Sequence, residues 1–249
     1  MALHSAPALR WNQSFLKMLK QRSYQKELLD EPDIEKGLLF QNLKELAIIN
    51  KYLGGYAISL KGLKKVITDK SKTYKVIDIG CGGGDSLKAI AEWAGKNDYK
   101  IHLAGIDLKQ DCIDYAKSTC KDFPGMDFYC DDFRNVFTKI NDIAIVHASL
   151  FCHHFTEEEI IGFIKFCDKN KTVFIINDLE RNPVAYYAIK LITRLFSKSP
   201  LVKNDAPLSV ARGFKKKEWH TILQKAGIKN YLIRNCPAFR HLVIVYPNE

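Results

Sequence analysis

Four glycines lie within five residues directly after an alternating apolar run, in the segment Val76–Asp85, VIDIGCGGGD. Glycine weakens regular secondary structure, because it loses more conformational freedom on folding than any other residue. A cluster this tight at the end of a predicted strand indicates that the backbone approaches a ligand closely, with no Cβ atom in the way. The alternative is a tight strand-to-helix turn that binds nothing.

The spacing of these glycines separates two kinds of nucleotide ligand. A dinucleotide-binding loop has the spacing G-x-G-x-x-G, which would require a glycine at position 85. Here the third glycine is Gly84 and position 85 is Asp85, so the spacing is G-x-G-x-G. A carboxylate at the start of the following helix would repel a pyrophosphate. We therefore expect that the loop does not bind NAD.

Acidic residues end the next two predicted strands. Asp107 is the last strand residue in AGIDLK, and Asp131 and Asp132 follow the third strand in FYCDDF. In a doubly wound sheet these positions lie beside the glycine loop, at the carboxyl ends of the strands. Asp107 can accept hydrogen bonds from two ribose hydroxyls, and either other carboxylate can accept one from an adenine amino group. Asp107 alone would equally suit a helix N-cap, but the combination favours a nucleoside site.

Over residues 74–180 these motifs resemble those of class I S-adenosylmethionine-dependent methyltransferases. VIDIGCGGGD is similar to the first motif of that family, AGIDLK to the second, FYCDDF to the third and DIAIVHASLFCHHF to the fourth. Outside this core, residues 28–56 and 177–214 resemble bacterial methyltransferases of the ubiquinone/menaquinone-methylase-like kind. Some members of that subgroup are associated with polyketide or phenolic-lipid biosynthesis.

The resemblance implies a set of residues that bind S-adenosylmethionine, with S-adenosylhomocysteine as the product. It places Asp78 near the amino group of the cofactor, Asp107 at the ribose and Leu108 against the adenine. Asp132, or Asp131 beside it, would meet the adenine amino group. The complete set, with the glycines under the methionine part, is Asp78, Gly80, Gly82, Gly84, Asp107, Leu108, Asp131, Asp132, Phe133 and Ala148.

The pattern around the motifs predicts an α/β fold. From residue 74, runs rich in β-branched and aromatic residues alternate with helical stretches, which indicates right-handed crossovers and a sheet covered on both faces. We expect a doubly wound, mostly parallel seven-stranded sheet of the Rossmann-like methyltransferase type. Residues 1–72 are predicted as an N-terminal helical cap that includes SFLKMLKQR, and 73–249 as the methyltransferase domain, with a helical lid insertion at 182–215. The predicted strands are KVIDIG, IHLAGID, MDFYC, DIAIVHA, TVFIIND, NYLIRN and HLVIVY.

The helix predicted to begin at Pro183 is unusually apolar. Asn182 before it is a good N-cap, and only Lys190 and Arg194 form a clear polar stripe. A helix that packs on one face of a sheet needs an apolar arc of roughly 100°. The surplus apolar surface could be covered by the N-terminal cap, by an apolar substrate or by a membrane surface that the basic stripe would meet. A proline-containing loop is predicted to follow, before the helix KKKEWHTILQKAG.

Several residues are candidates for acting on the acceptor. Methyl transfer needs a base only when the acceptor must lose a proton. His153 and His154 follow the fourth strand, so either is a candidate base for a phenol, although in the family such a pair is often structural. Tyr186 and Tyr187 on the apolar helix, and Arg212 in a predicted loop, are candidates for binding the acceptor. The alternative role for Arg212 is a surface or interdomain ion pair.

Cysteine usage and hydropathy restrict the class of protein. The seven cysteines include no C-x-x-C pair, which argues against a structural zinc site or a disulfide framework, and we expect no metal. No apolar run reaches the roughly 20 residues that span a bilayer. The first residues, MALHSAPALRWNQSF, lack the pattern of a signal peptide. A reducing cytoplasm fits these features best.

The net charge of +10 is unevenly distributed. Residues 73–180 carry 18 acidic and 12 basic side chains, which suits a cofactor that is a cation plus a zwitterion. Residues 181–249 carry 13 basic and 3 acidic side chains, and could attract nucleic acid or anionic lipid. Enzymes that methylate base amines usually carry an Asn/Asp-Pro-Pro-aromatic motif where this chain has HASLF, and cytosine-C5 enzymes carry Pro-Cys, so base methylation is disfavoured.

We therefore expect an S-adenosylmethionine-dependent methyltransferase for a small, largely apolar acceptor. The acceptor would be a phenolic, quinone-precursor or lipid-like metabolite, methylated on oxygen or carbon. A weak contact with a membrane surface is compatible with this function. The alternatives are an RNA or protein methyltransferase that uses its basic C-terminal region, and a non-enzymatic protein that only binds the cofactor.

Overall fold

The computed structural model describes residues 19–249, and in this part of the chain seven strands form one sheet. The strand order is β3-β2-β1-β4-β5-β7-β6, with β1 to β5 parallel and β7 antiparallel to both of its neighbours. The predicted doubly wound, mostly parallel sheet is confirmed. Strands β1 to β7 span Thr73–Ile79, Lys100–Asp107, Met126–Cys130, Ile145–Ser149, Val173–Leu179, Tyr231–Cys236 and Arg240–Val245.

Helices cover both faces of this sheet. Helices α1 to α9 span Lys36–Tyr52, Gly55–Val66, Asp85–Lys96, Gln110–Thr119, Val136–Lys139, Glu157–Lys169, Pro183–Phe196, Pro200–Arg212 and Lys216–Lys225. Most of the predicted helix SFLKMLKQR lies outside the described residues, and its described end, at 19–22, forms a turn. No helix within residues 19–249 is long and apolar enough to cross a membrane.

The alternation of side chains along the strands builds a core on each face. Ile77 and Val146 point to one face, where they pack with Trp219 and the buried side of α6 and α9. Val76 and Ile145 point to the other face and pack with α2 and α3. Because successive strand residues face opposite sides, parallel strands buried on both faces are apolar throughout. This is why the strands could be located in the sequence.

The segment predicted as a proline-containing loop forms helix α8 instead. Ser199 caps the helix by accepting the N–H of Val202 at 3.3 Å, and Pro200 occupies the first turn. Pro207 lies inside the helix, where a proline costs about 3 kcal/mol because it removes a hydrogen bond and crowds the preceding turn. Much of α8 is buried, including Leu201, Val202 and Val210, and this burial offsets the cost. The prediction was wrong because it weighted the prolines above tertiary burial.

Residues 19–35 form an N-terminal strap that lies against α8. The N–H of Ser23 donates to the carbonyl of Ala211 at 3.0 Å. The N–H groups of Leu28 and Leu29 both donate to the carboxylate of Asp205 at 2.9 Å. These bonds attach the strap to α8. They hold the strap at the carboxyl edge of the sheet.

Candidate active site

The glycine loop connects β1 to α3 at the carboxyl edge of the sheet. Gly80 has φ +64°, in the left-handed region that favours glycine, and a Cβ atom here would lie 2.1 Å from the ring of Phe151. Gly82 has φ +50°, and its N–H donates to Oδ2 of Asp107 at 3.0 Å. The backbone therefore forms a surface that side chains would obstruct, and a flat ligand group can approach it closely.

A cleft of about 1060 Å³ runs along this edge. Its lining includes the glycine loop, Asp78, Asp107 and Leu108. Phe155 and His154 from the turn after β4 also line it, as does the N-terminal strap, which contacts Lys109 beside Leu108 as well. The cleft thus has room for a nucleoside cofactor and a second molecule, and pockets for drug-sized ligands are typically about 300–1,000 Å³.

Asp107 ends β2 and faces this cleft. Its Oδ2 accepts from Gly82 and its Oδ1 accepts from the N–H of Lys109, each at 3.0 Å. Burial raises the pKa of Asp107, because desolvation disfavours its charged form. A carboxylate has about four acceptor sites, so two hydroxyl donors can still bind to it. This geometry fits the ribose of a nucleoside.

Asp78 belongs to a buried network that crosses two strands. Oδ1 of Asp78 lies 2.7 Å from Nδ1 of His147, its register neighbour on β4. Nε2 of His147 lies 2.8 Å from Oγ of Ser59, which also accepts from Nδ2 of Asn177 at 3.0 Å. Sequence reasoning missed His147, although a polar residue inside the apolar run DIAIVHA, beside Asp78 in a parallel sheet, was an available signal. The network fixes the orientation of the Asp78 carboxylate.

Asp85 is a further residue of the site. The sequence indicated only that this carboxylate would repel a pyrophosphate. Asp85 lines the cleft at the start of α3, with Asn50 also among the lining residues. Burial raises the pKa of Asp85, and Asp78 nearby adds to the effect. A positively charged group would relieve this pair of buried acids. The methionine end of the cleft therefore fits a ligand with an ammonium and a sulfonium, and does not fit a pyrophosphate.

Of the two acids predicted to meet the adenine, Asp131 and Asp132, only one lines the cleft. Leu108 is 67% exposed and lines the cleft. Asp131 lines it too, and the hydrogen bond from Lys139, with those from Asn135 and the N–H of Asp132, lowers the pKa of Asp131 to about 2. Asp132 is outside the lining residues, because its carboxylate caps the turn at Phe133–Asn135 and pairs with the guanidinium of Arg134.

Phe133 and Ala148, which were also predicted to contact the cofactor, lie in different places relative to the cleft. Phe133 is buried and lines the cleft, with its ring 5.3 Å from that of Phe151 in an edge-to-face contact. Ala148 is fully buried in the core and is not among the lining residues. Its side chain faces the core, so the cleft is lined instead by the residues that follow it, Ser149, Leu150 and Phe151.

His154 lies in the turn after β4 and lines the cleft. Its Nδ1 lies 2.9 Å from Oδ1 of Asp30 in the strap. Burial alone would raise the pKa of the Asp30 carboxyl. The hydrogen bond from His154 outweighs burial and holds this pKa well below its usual range. Asp30 is therefore an acceptor, which places the hydrogen of a neutral imidazole on Nδ1. Nε2 of His154 lies 3.9 Å from Oε2 of Glu27, beyond hydrogen-bond distance.

His153 beside it is buried and is not among the lining residues. Its Nδ1 lies 2.8 Å from Oδ1 of Asp178, and its Nε2 lies 3.4 Å from Oε1 of Glu27. Burial disfavours the charged ring, but the two carboxylates outweigh it and raise the pKa of His153 to about 9. At neutral pH His153 is a cation between two anions, so it cannot accept a proton from a substrate.

Glu27, His153 and His154 present ligand atoms within 4.8 Å of one another, close enough to surround a metal ion. Two features favour a charge-paired cluster in place of an ion. His153 is held by Asp178 at 2.8 Å, and the neighbouring carboxylates raise the pKa of its ring, which would have to release its proton to bind a metal. The guanidinium of Arg212 also approaches, with its Nε 3.9 Å from Oε1 of Glu27.

Arg212 ends α8 and joins the strap to the histidine turn. Its guanidinium donates to the carbonyl of His153 at 3.1 Å, the carbonyl of His154 at 2.9 Å and Oδ2 of Asp30 at 3.0 Å. Arg212 lines the cleft, whereas Tyr186 and Tyr187 do not. Helix α7, which carries the tyrosines, packs mainly against α8.

Comparisons with known proteins agree with this geometry. Residues 70–227 match a family model described as a methyltransferase domain. The plantazolicin methyltransferase BpumL, solved with SAH, has 14% identity and a TM-score of 0.64, over 95% of this chain and 98% of that chain. It was also solved with a monoazolic desmethylPZN analog and SAH. A SAM-dependent methyltransferase from Aquifex aeolicus has 16% identity and a TM-score of 0.58, over 86% of this chain and 98% of that chain.

An O-methyltransferase family 2 protein from Planctomyces limnophilus, in complex with apigenin, has 12% identity and a TM-score of 0.60, over 88% of this chain and 63% of that chain. Other matches are more partial: the chain spans 60% of an O-methyltransferase structure from Nostoc punctiforme and 50% of the citrinin polyketide synthase CMeT domain. No curated protein sequence matches the chain.

At these identities the solved structures establish the shared fold, and the family model covers more than half of the chain. The cleft adds a glycine loop, an acid at the position expected for ribose and buried acids that suit a cationic cofactor. The chain therefore belongs to the methyltransferase-domain family and is a class I S-adenosylmethionine-dependent methyltransferase.

Proposed function

We propose that the protein methylates a small, largely apolar acceptor that carries a hydroxyl group, of the phenolic, quinone-precursor or lipid-like class. The observation that carries this proposal is the pair of His154 and Asp30 at the acceptor end of the cleft, 2.9 Å apart. A histidine held by a carboxylate is a suitable general base for a hydroxyl. Bound S-adenosylmethionine supplies an activated methyl group, so that the protein chiefly positions the acceptor and excludes water.

In this proposal His154 takes the proton of the acceptor hydroxyl. Asp30 holds Nδ1, which leaves Nε2 as the basic atom. Arg212 positions the pair, because its donors are engaged by Asp30 and by the carbonyls of the histidine turn. His153 supports the turn as a buried cation. Removing the hydroxyl proton also activates the ring carbons of a phenol, so the same pair serves methylation on oxygen or on carbon.

The lining of the acceptor end supports an apolar molecule. Apolar and aromatic side chains of the turn after β4 line it beside His154. These side chains are Leu150, Phe151 and Phe155. The structures of two other methyltransferases with this fold were solved with apigenin and with a monoazolic desmethylPZN analog, both small organic molecules. The likeness to quinone-methylating enzymes points to the same class.

The proposal is tested by incubating the protein with methyl-labelled S-adenosylmethionine and a panel of phenols, quinone precursors, hydroxylated lipids, RNA and protein. We expect label in an apolar hydroxyl-bearing compound. Label in RNA or protein alone would contradict the acceptor class. No transfer to any acceptor, with cofactor binding intact, would favour a non-enzymatic binder.

The role of His154 is tested on the acceptor found in this way. We expect His154→Gln to lower kcat by about 10²- to 10⁴-fold, the usual contribution of a general base. Asp30→Asn should lower kcat less and shift the pH profile. His102→Gln, on the exposed start of β2, is the matched control and should leave kcat unchanged. An unaltered kcat in His154→Gln would exclude His154 as the base.

A further inference from the structure

Helix α7 exposes most of its apolar side chains. Leu191, Leu195 and Phe196 are 59%, 65% and 80% exposed, whereas Ala185 and Thr193 are its buried residues. An exposed apolar area of this kind usually marks a surface of interaction. The cleft does not account for it, because none of these residues lines the cleft.

Helix α1 extends this surface. Glu45 accepts the backbone N–H groups of Lys198 and Ser199, each at 3.1 Å, so α1 meets the chain where α7 ends. Ile48 and Tyr52 follow Glu45 on the same side of the helix, at three and seven residues, and are 47% and 82% exposed. We call the combined surface the α7 patch, and it comprises Ile48, Tyr52, Leu191, Ile192, Leu195 and Phe196.

The charged residues of α7 and of the turn after it have one sign. Lys190, Arg194 and Lys198 are exposed on α7 and in the turn after it. The segment 182–199 contains no acidic residue. The carboxylate of Glu45 is already engaged by the turn. The patch therefore combines large apolar side chains with cations that have no acidic neighbour on the helix.

This charge pattern distinguishes the surfaces that could cover the patch. In a symmetric dimer, the same three cations of both copies would face each other, and like charges across an interface cost affinity. Residues 1–18 include Arg10 and Lys17 and no acidic residue, so they also have the wrong sign. An anionic lipid surface has the complementary charge, and an apolar interior for the exposed side chains.

We propose that the α7 patch docks on an anionic membrane surface. Helix α7 would lie in the plane of the interface, with Leu195 and Phe196 among the acyl chains. Lys190 and Arg194 have long side chains that reach the headgroups while their stems stay apolar. An anionic surface attracts basic residues that lie close to it, and salt weakens this attraction. The docking is independent of the acceptor proposed above.

The test is co-sedimentation of the full chain with vesicles of phosphatidylcholine, with or without phosphatidylglycerol. We expect binding to the anionic vesicles, weaker binding in high salt and little binding to phosphatidylcholine alone. The double variant Leu195→Ser with Phe196→Ser should lose most of the bound fraction. Lys190→Glu with Arg194→Glu should lose at least half of it. Unchanged affinity for S-adenosylhomocysteine verifies that each variant is folded, since these residues lie outside the cleft.

The matched controls are Phe239→Ser for the apolar change and Lys96→Glu with Lys100→Glu for the charge change, all at exposed sites elsewhere. We expect both controls to bind vesicles as the unaltered protein does. A control charge reversal that reduces binding as much as Lys190→Glu with Arg194→Glu would overturn the proposal. So would absence of binding to anionic vesicles, or a dimer in sedimentation velocity that Leu195→Ser with Phe196→Ser dissociates.

Discussion

Nδ1 of His147 lies 2.7 Å from Oδ1 of Asp78 on the neighbouring strand, and both side chains are buried. Ser59, on helix α2 of the cap, holds the other ring nitrogen at 2.8 Å. The acid expected at the amino group of the cofactor is therefore oriented by residues from a strand and from the cap. Helix α2 thus helps to orient Asp78 through Ser59, in addition to covering the sheet.

We expect His147→Leu to weaken binding of S-adenosylhomocysteine by about 10-fold or more, because a buried polar group without its partner costs about 1–3 kcal/mol. His147→Asn retains a donor near the position of Nδ1 and should lose less affinity. Calorimetric titration of the two folded variants measures the difference. Equal affinity of His147→Leu and the unaltered protein would show that His147 does not position Asp78.

Asp107→Ala should raise the Kd for S-adenosylhomocysteine by about 10- to 100-fold. The variant loses the acceptor for the ribose hydroxyls and the bond that holds the N–H of Gly82, and hydrogen bonds to charged groups contribute about 1.5–3 kcal/mol. Asp127→Ala, on the exposed side of β3, is the control and should bind normally. Normal binding by folded Asp107→Ala would remove Asp107 from the site.

Two glycine substitutions should have opposite effects on stability. Gly80→Ala should lower the free energy of unfolding by more than about 1 kcal/mol, because of its positive φ and the contact with Phe151, and should also weaken cofactor binding. Gly95→Ala, in helix α3 with open space around it, should raise the free energy of unfolding by about 0.5–1 kcal/mol. Urea unfolding measures both. A neutral Gly80→Ala would contradict the close approach of the loop.

The buried cation at His153 predicts a pH dependence of stability. Its pKa is about 9 in the folded protein, above the unfolded value near 6.5. The stabilisation is therefore complete below about pH 6.5 and is lost as the pH rises through 9. Its contribution to the free energy of unfolding is on the order of 3 kcal/mol. Urea unfolding of the unaltered protein and of His153→Gln should show a stability difference that shrinks over this range. A difference independent of pH would mean that His153 is neutral.

The sheet and the position of Asp107 beside the glycine loop could be predicted because local sequence determines them. Buried parallel strands are apolar runs rich in β-branched residues, and their order places Asp107 beside the glycine loop. Single-residue detail was harder to predict. The choice between Asp131 and Asp132 depends on which one caps the following turn, and this is Asp132. Ala148 is still within β4, which ends at Ser149, so its side chain takes its turn on the core face of the strand.

The acceptor end was not predictable, because contacts between distant residues build it. The strap has no regular periodicity, and its position depends on Asp205, 177 residues from Leu28, and on Arg212, 182 residues from Asp30. Asp30 therefore gave no signal as the partner of His154. Helix α8 was mispredicted for the same reason. Its prolines favour a loop, and the burial that stabilises it as a helix depends on residues distant in the sequence.

We expect the cleft to present the reactive end of the cofactor to His154 and Asp30. The most direct measurement is the crystal structure of the protein with S-adenosylhomocysteine. We expect the ribose hydroxyls on Asp107, the amino group near Asp78 and the sulfur facing the side of the cleft that His154 lines. A bound molecule whose sulfur faces away from His154, or whose ribose does not contact Asp107, would contradict this expectation.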